Sequence, residues 1–155
     1  MFSARYDWWA METAPVHLLA RWRRVPRARR VLLVEAIATL ALVCAALRLL
    51  PFKRAIRLGA IPVGQPKTHD DSIAATVWAV QAAARRLPWR IVCIQSGIAV
   101  QRMLRRRGVD ARLHYGIARP GETTDLQAHV WVTVDGTAVI GGEEAAKFAP
   151  VAEYP

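Results

Sequence analysis

The hydrophobic period changes at Gly108, and that change constrains the fold more than any other feature of the chain. Before it, Ile73, Val77, Val80 and Ala84 repeat at helical spacing, as do Cys93, Gly97, Val100 and Leu104 further on. After it, Val109, Ala111, Leu113, Tyr115 and Ile117 alternate with Asp110, Arg112, His114, Gly116 and Ala118. That is the pattern of a half-buried strand. Residues 129–134 and 137–140 then flank Asp135-Gly136, the dipeptide that accepts positive φ at both positions of a two-residue hairpin turn. Helices followed by antiparallel strands predict an α+β fold. The first of these helices starts at residues 68–71, with Thr68 as cap, and stops before Pro88. The second runs from Cys93 to Arg107 and ends at Gly108. Arg119-Pro120-Gly121-Glu122 reads as a loop, and residues 148–155 as one more edge element.

The N-terminal part has a different character. Residues 1–20 show no clean periodicity. Arg21, Arg23, Arg24, Arg27, Arg29 and Arg30, broken by Pro26, lead into an apolar run over residues 31–50. The run has the length of a membrane span, and Glu35 and Arg48 interrupt it. Two readings stay open: a helix buried against protein, or one lying on or in a membrane. No small-residue cleavage site follows, so the expected location is cytoplasmic, with membrane association through residues 31–50 as the alternative. Pro51 ends the run, a short basic helix over 52–58 stops at Gly59, and residues 61–66 read as a linker. The expected organisation is a basic, apolar helical region over 1–60, a linker over 61–67 and a folded domain over 68–155.

Charge follows the same division. The 155 residues carry 22 Lys+Arg against 12 Asp+Glu. Residues 1–60 hold 11 basic and 3 acidic side chains, so most of the excess lies there. A nucleic-acid binder needs its basic residues along the recognition surface, so no nucleic-acid partner is expected. A basic N-terminal segment suits an anionic membrane, an acidic peptide or a partner protein, and also a plain solvated face.

The chain has two cysteines, too few for a disulfide framework or a four-thiolate zinc site. Cys44 sits in the apolar run and reads as core. Cys93 opens a helix, where unpaired N–H groups and the helix dipole favour a thiolate and an oxyanion. Gly97, one turn on, lets a neighbouring strand approach. The nearest candidate base is His129, at the start of a strand. Val130, Val132 and Val134 point one way along that strand, and His129, Trp131 and Thr133 the other. If the second face packs on the Cys93 helix, thiol and imidazole meet. The two would be the minimum for nucleophilic acyl chemistry. The plainer alternative is a small buried thiol and a structural histidine, the reading given to His17, His69 and His114.

The stretch LPWRIVCIQSGIAVQRMLRRRGVDARLHYGIA, followed by AHVWVTVDG, resembles the transglutaminase-like cysteine peptidases that mature lasso peptides. Three features carry the resemblance: a Cys opening a helix, an RRRG helix end before a strand, and His-x-Trp-Val-x-Val-Asp-Gly. LRLLPFKRAIRLG, residues 47–59, resembles the N-terminal helix region of that family. The resemblance implies a papain/transglutaminase-like core, a Cys-bearing helix packed on an antiparallel sheet. It implies removal of a leader from a ribosomally made precursor peptide, with Cys93 as nucleophile and His129 as base. The acid that completes the family's triad falls about a dozen residues past the histidine, where this chain has Gly141. With Asp135-Gly136 as the turn, His129 falls opposite Gly142, so Glu143 is the nearest acid by register; a backbone carbonyl is the alternative holder of the imidazole. The resemblance also implies partners: a separate leader-recognition protein and an asparagine-synthetase-like cyclase, for which the apolar helix and its basic flanks are docking surfaces. The chain has no Gly-rich phosphate loop and no recognisable cofactor site. Rival readings keep the same residues: a non-catalytic scaffold, a membrane-associated adaptor, or a transferase that acylates an amine.

Overall fold

The computed structural model describes residues 25–63, 70–118 and 127–155. Among them four α-helices precede four strands: α1 (Arg27–Leu49), α2 (Phe52–Ile56), α3 (Asp70–Ala84) and α4 (Cys93–Arg105), then β1 (Ala111–Ala118), β2 (Ala128–Val134), β3 (Thr137–Ile140) and β4 (Phe148–Tyr154). The strands form one antiparallel sheet in the order β3-β2-β1-β4. Asp135 and Gly136 take φ of 48° and 78°, the conformation the hairpin turn demands. The C-terminal segment is an edge strand, because β4 pairs with β1. The Thr68 cap, the arginines at 21, 23 and 24 and the loop at 119–122 lie outside the described residues.

The period change at Gly108 is a change of direction. Gly108 has φ of 80°, and Val109 N–H returns 3.1 Å to the Leu104 carbonyl across it. This closes the end of α4 in the way a glycine there permits. The chain then re-enters as β1 beneath its own helix. Ala111, Leu113, Val130, Val132 and Val134 of the sheet meet Val100, Met103 and Leu104 of α4 in one core. A Cβ on Gly97 would stand 2.7 Å from Val130 Cγ1, so the missing side chain sets how closely α4 lies on β2.

The helix α1 belongs to that core. Leu33, Ala36, Leu40 and Val43 recur at three- and four-residue intervals and are buried in one cluster with Val80 and Ala83 of α3 and with α4. Glu35, the acid within the apolar run, pairs with Arg107 just past α4, with Nη2 to Oε2 at 2.5 Å, and lies 3.7 Å from Arg106. By length and composition α1 is able to cross a membrane. One of its faces, however, is committed to protein and its acid to a protein cation. The core is a single cluster on both sides of residues 61–67. Arg105 reaches back to the Ile61 carbonyl at 2.6 Å, and Arg102 to the Leu58 carbonyl at 2.7 Å. The chain after α2 is thereby fastened to α4, while positions 64–67 lie outside the described residues.

Candidate active site

Cys93 is the first residue of α4 and its side chain is exposed. Its helix entry is set by Gln95, whose Oε1 accepts the Val92 N–H at 2.9 Å. This is one half of a capping box. Val92 has no side-chain acceptor to complete the box, and no side chain caps the helix start. The Gln95 and Ser96 N–H groups turn back to the Val92 carbonyl at 3.1 and 3.2 Å, so among the described residues only the N–H groups of Cys93 and Ile94 are left to face whatever approaches the thiol. The Cys93 thiol has no hydrogen-bond partner among the described residues.

His129 stands near the start of β2, half-buried. Its ring lies 5.0 Å from Phe148 and 6.3 Å from Trp131, centroid to centroid, and is nearly parallel to both. Trp131 stacks in turn on His114 at 5.4 Å. His129 Nε2 is 2.8 Å from the Gly141 carbonyl. A carbonyl only accepts, so Nε2 carries the proton and Nδ1 is left with its lone pair. Gly141 occupies the place where the triad's acid was expected, and its backbone does the holding.

Glu143 does not reach the imidazole. It is exposed and makes no hydrogen bond or ion pair among the described residues. The register explains this. Val134 pairs with Thr137 as expected and Thr133 with Ala138, but a bulge then sets Val132 opposite Ile140. Gly141 follows at φ of 74° and turns its carbonyl toward His129.

The sheet face that packs on α4 is the valine face, which corrects the expectation that the His129–Trp131–Thr133 face would do so. Val130, Val132 and Val134 are the apolar members of the strand, and burying them is the larger gain. His129 therefore belongs to the opposite face. Thiol and imidazole still share one end of the molecule. Arg105, the last residue of α4, bonds the carbonyl of Ala111, which pairs with Val134 at the far end of β2. Gly97 lies against Val130. Cys93 lies one helical turn before Gly97, and His129 one residue before Val130.

Residues 36–153 match the transglutaminase-like superfamily. The chain belongs to that superfamily. No curated protein and no solved structure matches the chain significantly. The superfamily includes cysteine proteases and transferases. The match starts inside α1, so more than half of that helix lies within the transglutaminase-like domain.

The sequence pointed to Cys93 and His129 but not to the aromatic surroundings of the imidazole. Trp131 was visible two residues on, on the same strand face. Phe148 arrives from β4, which meets β1 only through the fold. No local pattern announces it.

Proposed function

We propose that this transglutaminase-like protein is a cysteine peptidase that removes the leader from a ribosomally made precursor peptide, of the lasso type. What supports the reading is the fixed tautomer of His129: Nε2–H is engaged by the Gly141 carbonyl, so Nδ1 is the nitrogen free to take a proton. In this reading that nitrogen, near the start of β2, and the Cys93 thiol, at the first residue of α4, come within reach of one another when the precursor is bound. In this reading Nδ1 accepts the Cys93 proton and the sulfur attacks the scissile carbonyl. The oxyanion is met by N–H groups of the first turn of α4. The tetrahedral intermediate collapses as His129 protonates the leaving amine, giving a thioester. Water, deprotonated by the same nitrogen, then releases the carboxylate and restores the thiol. Delivery of the precursor falls to a separate leader-recognition protein, and closure of the ring to an asparagine-synthetase-like cyclase. The place of action we infer is the cytoplasm, with membrane association through residues 31–50 as the alternative.

One observation favours a second reading, a scaffold of the same fold that holds precursor and cyclase together. The imidazole has a carbonyl where a carboxylate would stabilise the imidazolium, and no hydrogen bond joins it to the thiol among the described residues. The deciding experiment is leader cleavage, followed by mass spectrometry, with the partner proteins present. Cys93→Ala and His129→Ala are each expected to slow cleavage at least ~100-fold, the usual worth of a general base or more. Undiminished cleavage by both variants leaves the scaffold reading in its place. A product carrying an amide where the new carboxylate should be identifies transfer to an amine rather than hydrolysis.

A further inference from the structure

The face of α1 turned away from the core is apolar too. Val31, Val34, Ala38, Ala41, Leu42, Ala45 and Leu49 are all exposed and recur at helical spacing. Val31 is 60% exposed, Val34 56% and Leu49 81%. At the corner into α2, Leu50 and Phe52 are also exposed. A soluble surface seldom leaves so long an apolar stripe without an occupant.

Charge states what the occupant must be. Arg27 and Arg29 stand exposed at one end of the stripe, and Arg48, Lys53, Arg54 and Arg57 at the other. Arg27, Arg48, Lys53, Arg54 and Arg57 form no ion pair among the described residues. Glu35, the only acid in the helix, is already taken by the arginines beyond α4. A second copy of the chain fits badly. Antiparallel pairing along this face sets each basic end against the other, and parallel pairing sets each against itself. What fits is a surface apolar in depth and negative at its rim. We propose that α1 lies flat in the headgroup region of an anionic lipid membrane, its inner face in the protein core and its outer face in the acyl boundary. The arginines and lysine at both ends bind lipid phosphates. The helix does not cross the bilayer, because crossing would strip Leu33, Leu40 and Val43 from the core and unpair Glu35. The inference stands apart from the chemistry assigned to Cys93.

Co-sedimentation of the full chain with vesicles tests it. Vesicles of equal phosphatidylcholine and phosphatidylglycerol are expected to bind at least ~10-fold more tightly than pure phosphatidylcholine, because several cations each gain near an anionic surface. Half-molar salt releases the protein. Val34→Glu with Leu42→Glu, both on the exposed face, removes most of the binding and leaves the circular dichroism spectrum unchanged. Arg48→Gln with Arg54→Gln weakens binding to the anionic vesicles alone, and serves as the second variant if the glutamates disturb folding. Four results overturn the proposal: equal binding to both vesicle types; binding that survives Val34→Glu/Leu42→Glu in a folded protein; protein released by detergent but not by salt, which marks a span; or a dimer in lipid-free solution that those substitutions dissolve, which makes the stripe a protein interface. Leader cleavage measured without vesicles is independent of all of these.

Discussion

Position 141 requires glycine on two counts. Its φ of 74° lies where L side chains are strained, and a Cβ there would stand 2.6 Å from the Val130 carbonyl and 3.3 Å from His129 Nε2. The acid that the family resemblance places near this position therefore has no room on this backbone. Gly141→Asp, the obvious repair of the triad, is expected to destabilise the fold by about 2–3 kcal/mol and to displace His129 rather than orient it. A urea melt checks the first point and the leader-cleavage rate the second. An unchanged midpoint with faster cleavage would mean that the carbonyl is a poor substitute easily bettered. At this scale the sequence was informative about chemistry: a thiol opening a helix and an imidazole opening a strand are local patterns. It was silent about Gln101. That residue is fully buried, and its Nε2 bonds the carbonyls of Ala111 and Tyr154, 10 and 53 residues away. A glutamine in an arginine-rich helix looks like surface until the fold closes over it.

At the scale of the element, α1 explains why an apolar run of this length is ambiguous. It carries two stripes, Leu33–Ala36–Leu40–Val43 inward and Val31–Val34–Ala38–Ala41–Ala45 outward. Together they read as a membrane span, although each is one side of a surface helix. The decisive residue is Glu35, set between the stripes and answered by Arg107 from 72 residues away. Glu35→Gln, Arg107→Gln and the double variant form a cycle in chemical denaturation. The expected coupling is about 1–2 kcal/mol, above an exposed pair because both side chains are mostly shielded from water. A coupling near zero would detach α1 from α4 energetically. The arginines at and just past the end of α4 were read in sequence as a helix end; packing makes them fasteners. Arg105 holds Ile61, Asp110 and Ala111 at once.

For the whole molecule, the consequence is that one core serves the helical N-terminal region and the sheet. Leu40 is fully buried in that core. Leu40→Ala is expected to cost about 3 kcal/mol and to shift the helix signal in circular dichroism and the hydrogen exchange of β1 and β2 amides together. If the sheet amides hold while the helix melts, α1 is a separate unit. Sequence by itself determined the element types, their order, the hairpin turn and the two candidate reacting groups. Each depends on interactions within a few residues: hydrophobic period, positive φ at Asp135-Gly136 and Gly108, and the polarity of a helix end. Only the tertiary structure decided which face of β2 meets α4, that a bulge replaces Glu143 with the Gly141 carbonyl, and that α1 is half core and half surface. Those outcomes are competitions between distant groups for the same buried space, and no local pattern records which of them wins.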